Sequence, residues 1–215
     1  MKCPRCLASI SPAQNACSAC GFSATLLNGY LGNQWVKLER ITDAAHCLRL
    51  EDVRRTEIIL DDFERSLPQV FFAAYLGVLP KGLSVAELGF WLLNQGAFVT
   101  HSVSRRNDFG IVLVVDPAEQ AASITLGYAI EKYFSPQTVT RMLQTAGIQL
   151  NRGATSRAIE VVCNQCADVL RKCAHGMKRQ PDILTTGSDL GLQSLRGGHR
   201  AGSRPLAGFS SATKP

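Results

Sequence analysis

The sequence predicts an α/β fold: a three-layer α/β/α sandwich around a mixed sheet, with a small N-terminal zinc ribbon and a disordered C-terminal tail. Three observations predict it. Two Cys-x-x-Cys pairs, Cys3/Cys6 and Cys17/Cys20, open the chain. Two apolar runs without polar alternation, Val70 to Gly77 and Gly110 to Val115, read as strands buried on both faces. Capped or amphipathic helical stretches lie between and after them. The chain has 215 residues, 46% hydrophobic and 19% charged. That is enough apolar material for a real core, and it excludes wholesale disorder.

Residues 1–24 form the ribbon. Two residues between ligands let each pair wrap as a knuckle, with both sulfurs and nearby N–H groups aimed at one ion. Two knuckles supply four thiolates in tetrahedral array, which suits zinc. Pro4 stiffens the first knuckle, and Gly21 follows the second where the chain turns tightly. The alternatives are a redox pair or unliganded thiols. So short a segment cannot build a core, so the metal supplies its folding energy.

Residues 25–37 read as a polar, glycine-containing connector, with a short strand expected around Gln34 to Leu38. The α/β domain spans 38–174. Glu51 to Leu67 is a helix, with Val53, Ile59, Leu60, Phe63 and Leu67 on one side. The strand from Val70 follows. Ser84-Val85-Ala86-Glu87 is a capping box that opens a helix through about Asn94. Arg105 to Phe109 is a polar turn. The strand from Gly110 stops at Asp116-Pro117, and Ala121 to Ala129 pairs back on it as a hairpin. Ser135-Pro136 starts a helix that ends at Gly147, and Asn151 to Gly153 is a loop. In the last helix Ile159, Val162, Cys163, Cys166, Val169, Leu170 and Cys173 trace one apolar face. Cys163 and Cys166 therefore read as core residues rather than a second metal site, since buried cysteine packs as a small hydrophobe. Residues 175–215, rich in Gly, Ser and Arg, read as a disordered basic tail.

The formal net charge is +6, but residues 25–174 are neutral and the basic excess lies at the two ends. Four thiolates and one zinc ion sum to −2, so the metallated protein is less basic still. A neutral centre does not suit a domain built to coat nucleic acid. No apolar run is long enough to cross a bilayer. No signal peptide precedes the paired cysteines, and the expected location is the cytoplasm. There, thiols stay reduced and cysteine pairs more often bind metal than cross-link. The sequence holds no Walker loop and no Gly-x-Ser-x-Gly elbow.

Two blocks carry a family resemblance. Ile41-Thr42-Asp43-Ala44-Ala45, followed by a helix opening at Leu50-Glu51, resembles the entry motif of the TPM domain family. Asn107 to Glu131 resembles its second block: an apolar strand, a short Asp-containing loop, and a strand ending here in Gly127-Tyr128-Ala129-Ile130-Glu131. The resemblance covers roughly residues 38–173 and implies an α/β/α sandwich. It also implies acid phosphatase activity, described for plant thylakoid members, and a bound divalent cation such as Ca²⁺ or Mg²⁺. Two acidic positions of the family pattern are missing, replaced by Pro136 and Ala154. Asp43, Asp116 and Glu131 remain as candidates for catalysis. Each also has an ordinary reading: Asp43 as a turn cap, Asp116 as a strand-ending turn, Glu131 as a solvated carboxylate.

The leading expectation is thus a zinc-ribbon protein whose degenerate TPM-like domain binds a protein partner or serves assembly, without catalysis. The first alternative is a divalent-metal-dependent acid phosphatase using Asp43, Glu131 and Asp116. A third makes the ribbon and basic tail a nucleic-acid clamp, which demands strongly salt-dependent binding.

Overall fold

The computed structural model describes residues 2–11, 14–34, 36–98 and 107–178. Arg105, Arg106 and, of the tail expected over 175–215, the residues from 179 on lie outside the described residues. The elements run α1 (Ala24–Leu31), β1 (Val36–Leu38), β2 (Ile41–Asp43), α2 (Leu50–Ser66), β3 (Phe71–Leu76), α3 (Val85–Gln95) and β4 (Gly96–Phe98). They continue with β5 (Gly110–Asp116), β6 (Ala121–Leu126), α4 (Tyr128–Glu131), α5 (Pro136–Leu150) and α6 (Thr155–Lys178).

The main sheet has the order β2-β3-β5-β6, the first three strands parallel and β6 antiparallel. Every residue of β5 is buried, as its unbroken apolar run requires. Alternation along β3 and β5 sends side chains to two cores. Phe72, Ala74, Ile111 and Leu113 face α2, α5 and α6; Phe71, Ala73, Val112 and Val114 face α3. The result is the expected α/β/α sandwich. Both parallel connections move the same way across the sheet, yet α2 and α3 lie on opposite faces. The two crossovers therefore differ in hand, and one departs from the usual right-handed rule.

A second, two-stranded parallel sheet joins β1 to β4. Helix α3 is buried from Glu87 through Leu93, almost all the way round. Its inner side meets β5 and β6. Gly89 sits so close to β6 that a Cβ there would lie 2.5 Å from Thr125 Oγ1. Its outer side meets Cys3, Ile10, Cys17, Phe22 and Leu27 of the ribbon and α1. The ribbon and α1 thus complete the cover of that face.

Several boundaries differ from expectation. The 25–37 segment is not only a connector: it holds α1, whose Leu27 is buried while Leu26 and Tyr30 point outward. The third strand ends at Leu126 rather than Ala129, because Gly127 turns the chain into α4. At Gly127 a Cβ would strike the Asp108 carbonyl oxygen at 2.3 Å, so the close approach requires glycine. Helix α5 runs through Gly147 to Leu150, since nothing at Gly147 needs a left-handed backbone. Helix α6 continues past Cys173 to Lys178, so residues 175–178 belong to this helix and not to the tail expected from 175. Gln34 to Leu38 does yield a strand, β1, and the capping box at Ser84 and Glu87 forms in both directions.

Candidate metal centre and strand-end carboxylates

The two knuckles are copies of one another, offset by 14 residues. In the first, Cys3 N–H donates to Ala8 O at 2.7 Å and Leu7 N–H to Cys3 O at 3.0 Å. In the second, Cys17 N–H donates to Phe22 O at 2.7 Å and Gly21 N–H to Cys17 O at 2.8 Å. A short antiparallel bridge closes each, Lys2 to Ser9 and Ala16 to Ser23. The residue after each second cysteine takes a left-handed backbone, Leu7 at φ 62° and Gly21 at φ 70°. Glycine adopts this freely; Leu7, a largely exposed side chain, does so at a cost of about 1–2 kcal/mol.

The knuckles bring all four sulfurs within 4.8 Å of one another. Cys3 Sγ lies 3.6 Å from Cys20 Sγ, and Cys6 Sγ 3.5 Å from Cys17 Sγ. A tetrahedral zinc with bonds of about 2.3 Å sets its sulfurs about 3.8 Å apart, whereas a disulfide needs about 2 Å. The donor set therefore fits a tetrahedral metal ion and not cross-links. The N–H groups of Ala19 and Cys20 draw the Cys17 thiol down to about 7, which favours the ligating thiolate. At Cys6 the Ala8 N–H works in the same direction, but desolvation and the neighbouring sulfurs push the thiol up to about 12. Proton loss from such a set is shared, and a metal cation would supply the missing positive charge. Cys3 and Cys17 are buried, Cys6 and Cys20 exposed. Among the described residues no other group of three or more Cys, His, Asp or Glu side chains gathers at ligand distance.

The centre is moored to the sandwich. Arg5, inside the first knuckle, donates from Nη2 to Glu87 Oε1 at 2.7 Å and from Nε to the same oxygen at 3.0 Å. Glu87 Oε2 meanwhile accepts from the Ser84 N–H at 3.1 Å, within the capping box of α3. Burial acts to raise the Glu87 carboxyl, but the Ser84 N–H and Arg5 outweigh it and leave it below its ordinary value. Arg5 also stands over the Phe22 ring at 5.3 Å, and Phe22 meets Phe90 of α3 edge-on at 5.4 Å. These partners lie far apart in sequence, and no local pattern announces them.

The strand-end carboxylates are placed differently from the four cysteines. Asp43 closes β2 and turns the chain into α2: its Oδ1 accepts from Cys47 N–H at 3.1 Å, its Oδ2 from Leu48 N–H at 2.8 Å. Asp116 closes β5 and is buried, accepting from the N–H groups of Leu79 (3.0 Å), Ala118 (2.9 Å) and Glu119 (3.2 Å). Burial acts to raise the Asp116 carboxyl, but the Leu79, Glu119 and Ala118 N–H groups outweigh it and leave it below its ordinary range. Asp43 and Asp116 share one end of the sheet, on the strands either side of β3. Glu131 lies beyond the other end, in α4, where Gly127 N–H bonds Gly110 O at the start of β5. From the register, Asp43 and Leu126 are separated by about 13 Å along the strands and about 14 Å across them. The three carboxylates therefore do not converge on one ion.

Cys163 and Cys166 are buried in the core between α6 and the sheet. Desolvation pushes the Cys163 thiol up to about 12 and raises Cys166 too, the reverse of what a ligand needs.

No family model and no curated protein matches this chain. Solved structures do. One is the solution structure of the N-terminal domain of a protein from P. gingivalis, 18% identical, covering 63% of this chain and 83% of that one, at a TM-score of 0.46. Another is the solution structure of the N-terminal domain of the cg2496 protein from Corynebacterium glutamicum, 13% identical, covering 76% and 90%, also at 0.46.

Proposed function

We propose that the chain is a zinc-ribbon binding or assembly module on a degenerate TPM-type domain, acting on a protein partner without catalysis. One observation carries this reading: the ribbon is held fast on α3 while its outer side, with α1, presents apolar side chains to solvent. Leu7, Leu26 and Tyr30 are 72%, 49% and 76% exposed. Leu26 and Tyr30 are one helical turn apart on α1. Solvated large apolar groups on a rigid mount suit a protein contact. The four-cysteine site takes one zinc, which fixes the mount. The TPM type is supported by the two motif blocks around Asp43 and Glu131 and by the order of elements that carries them. The carboxylate placement weighs against phosphatase chemistry. A hard cation needs several oxygens at one point, and Asp43 and Asp116 spend theirs on backbone N–H groups.

The test has two arms. Zinc-loaded protein is assayed on a generic phosphomonoester between acid and neutral pH, with Ca²⁺ or Mg²⁺ and without. The expected result is no metal-dependent turnover; turnover abolished by both Asp43→Ala and Glu131→Ala would overturn the reading. In parallel, cross-linked partners are compared between the native chain and Leu26→Ser/Tyr30→Ser, and partner recovery is expected to drop only in the variant.

A further inference from the structure

We infer that an arginine-lined cleft on the side of the sheet away from the ribbon binds an acidic peptide segment of a partner protein. The cleft, about 770 Å³, lies between the start of α2 and the start of α6. Arg49, Arg55 and Arg157 line it, and Asp52 is the one carboxylate among its lining residues. Asp52 is engaged locally: it accepts the Ser156 hydroxyl at 3.1 Å and stands 3.9 Å from Arg55. Arg157 pairs with the buried Glu160 at 2.7 Å but keeps most of its side chain exposed. The Arg49 carbonyl accepts from Val53 N–H at 3.0 Å as the N-cap of α2, and its guanidinium is exposed. The first N–H groups of α2, which Arg49 precedes, have no side-chain cap and add donors at the same place. Glu51, in that same turn, is exposed and lies off the cleft.

Guanidinium groups grip carboxylates through paired N–H donors in one plane. The three here are distributed rather than gathered on one point. Arg49 and Arg55 start about 9 Å apart along α2, and Arg157 stands on another helix. Alternate side chains on one face of an extended peptide are spaced by about 7 Å, so successive acidic residues can each meet an arginine. The volume argues the same way, because a water takes about 30 Å³ and the cleft holds many times that. It accommodates several side chains, not a lone ion.

The experiment uses the full, zinc-loaded chain and a fluorescent peptide that alternates Glu and Gly, read by anisotropy at physiological salt. Binding is expected to be saturable, absent for the matching Gln peptide, and weakened about tenfold or more by Arg49→Glu with Arg55→Glu. Arg65→Glu with Arg141→Glu, an equal charge change at two exposed positions off the cleft, is expected to alter affinity by less than about twofold. If the double variant fails to fold by circular dichroism, Arg49→Gln replaces it at an exposed position. Affinity unchanged by the cleft variants would overturn the proposal and send the binding to basic residues elsewhere. Displacement of the peptide by low-millimolar inorganic phosphate would overturn it as well, in favour of a phosphate site. The outcome is separate from capture by the ribbon, because Leu26 and Tyr30 lie on the opposite side of the sheet.

Discussion

Arg5 of the first knuckle and Glu87 of the α3 capping box meet through two N–H donors on one carboxylate oxygen. The same carboxylate takes part in a helix capping box and moors the four-cysteine ribbon. Replacing Glu87 by Ala removes the return bond from Ser84 N–H and leaves the Ser84 Oγ cap in place, at an expected cost of about 1 kcal/mol before the Arg5 contact is counted. Arg5→Ala should lower the melting temperature less and leave the cap intact. A double-mutant cycle measured by urea unfolding should show clear non-additivity, since the residues share one contact.

The four-cysteine site should hold about one zinc per chain, measured by plasma emission on purified protein. Cys17→Ser is expected to release it. The ribbon's contacts with α3 make a second outcome follow. Trp91 of α3 is buried and donates its indole N–H to Asn28 of α1 at 3.2 Å. With Trp35 replaced by Phe, Trp91 emission should shift to the red on chelation. An unmoved spectrum would mean that the ribbon can unfold without disturbing α3.

Gly89→Ala places a methyl group 2.5 Å from Thr125 Oγ1, on a strand that has little room to yield. The expected cost is about 1–3 kcal/mol. Thr125→Ala should recover most of it in the double variant, because it removes the atom struck. Equal loss with and without Thr125 would mean that the strain lies elsewhere.

Asp116 gives the fold an acid limit. Its carboxyl is held below the ordinary range, so the folded state prefers the ionised form more than the unfolded state does. That stabilisation is complete above the unfolded value near 4 and is lost as pH falls through the lower folded value. Glu87, also lowered, acts in the same direction. Urea midpoints should therefore fall steeply below about pH 4. Asp116→Asn should be less stable at neutral pH and should show a shallower acid decline.

How much of this was legible in the sequence depends on the range of the forces involved. Helices α2, α3 and α6 follow from apolar period and caps, and β3 and β5 from unbroken apolar runs, all local signals. The four metal-type ligands follow from spacing alone. The three-residue strands β2 and β4 are shorter than any period can mark, and pairing with β3 and β1 defines them. Helix α1 has a weakly amphipathic, glycine-containing sequence, and it forms where Leu27 can bury beside Phe22. The ordinary reading of Asp43 and of Asp116 was local and is what their hydrogen bonds describe. The mooring of Arg5 and the arginine cleft were illegible. Each joins residues about a hundred positions apart or nearly so, and neither leaves a mark on neighbouring residues.

The 82 positions from Arg5 to Glu87 are also an interval of time. At about 5–20 residues per second, some 4–16 s separate the synthesis of the first knuckle from that of its anchorage. Throughout that interval the cysteines stand on a nascent chain with no helix to lean on. An ion bound within that interval would have to be held by the two knuckles alone, before α3 exists to cover them.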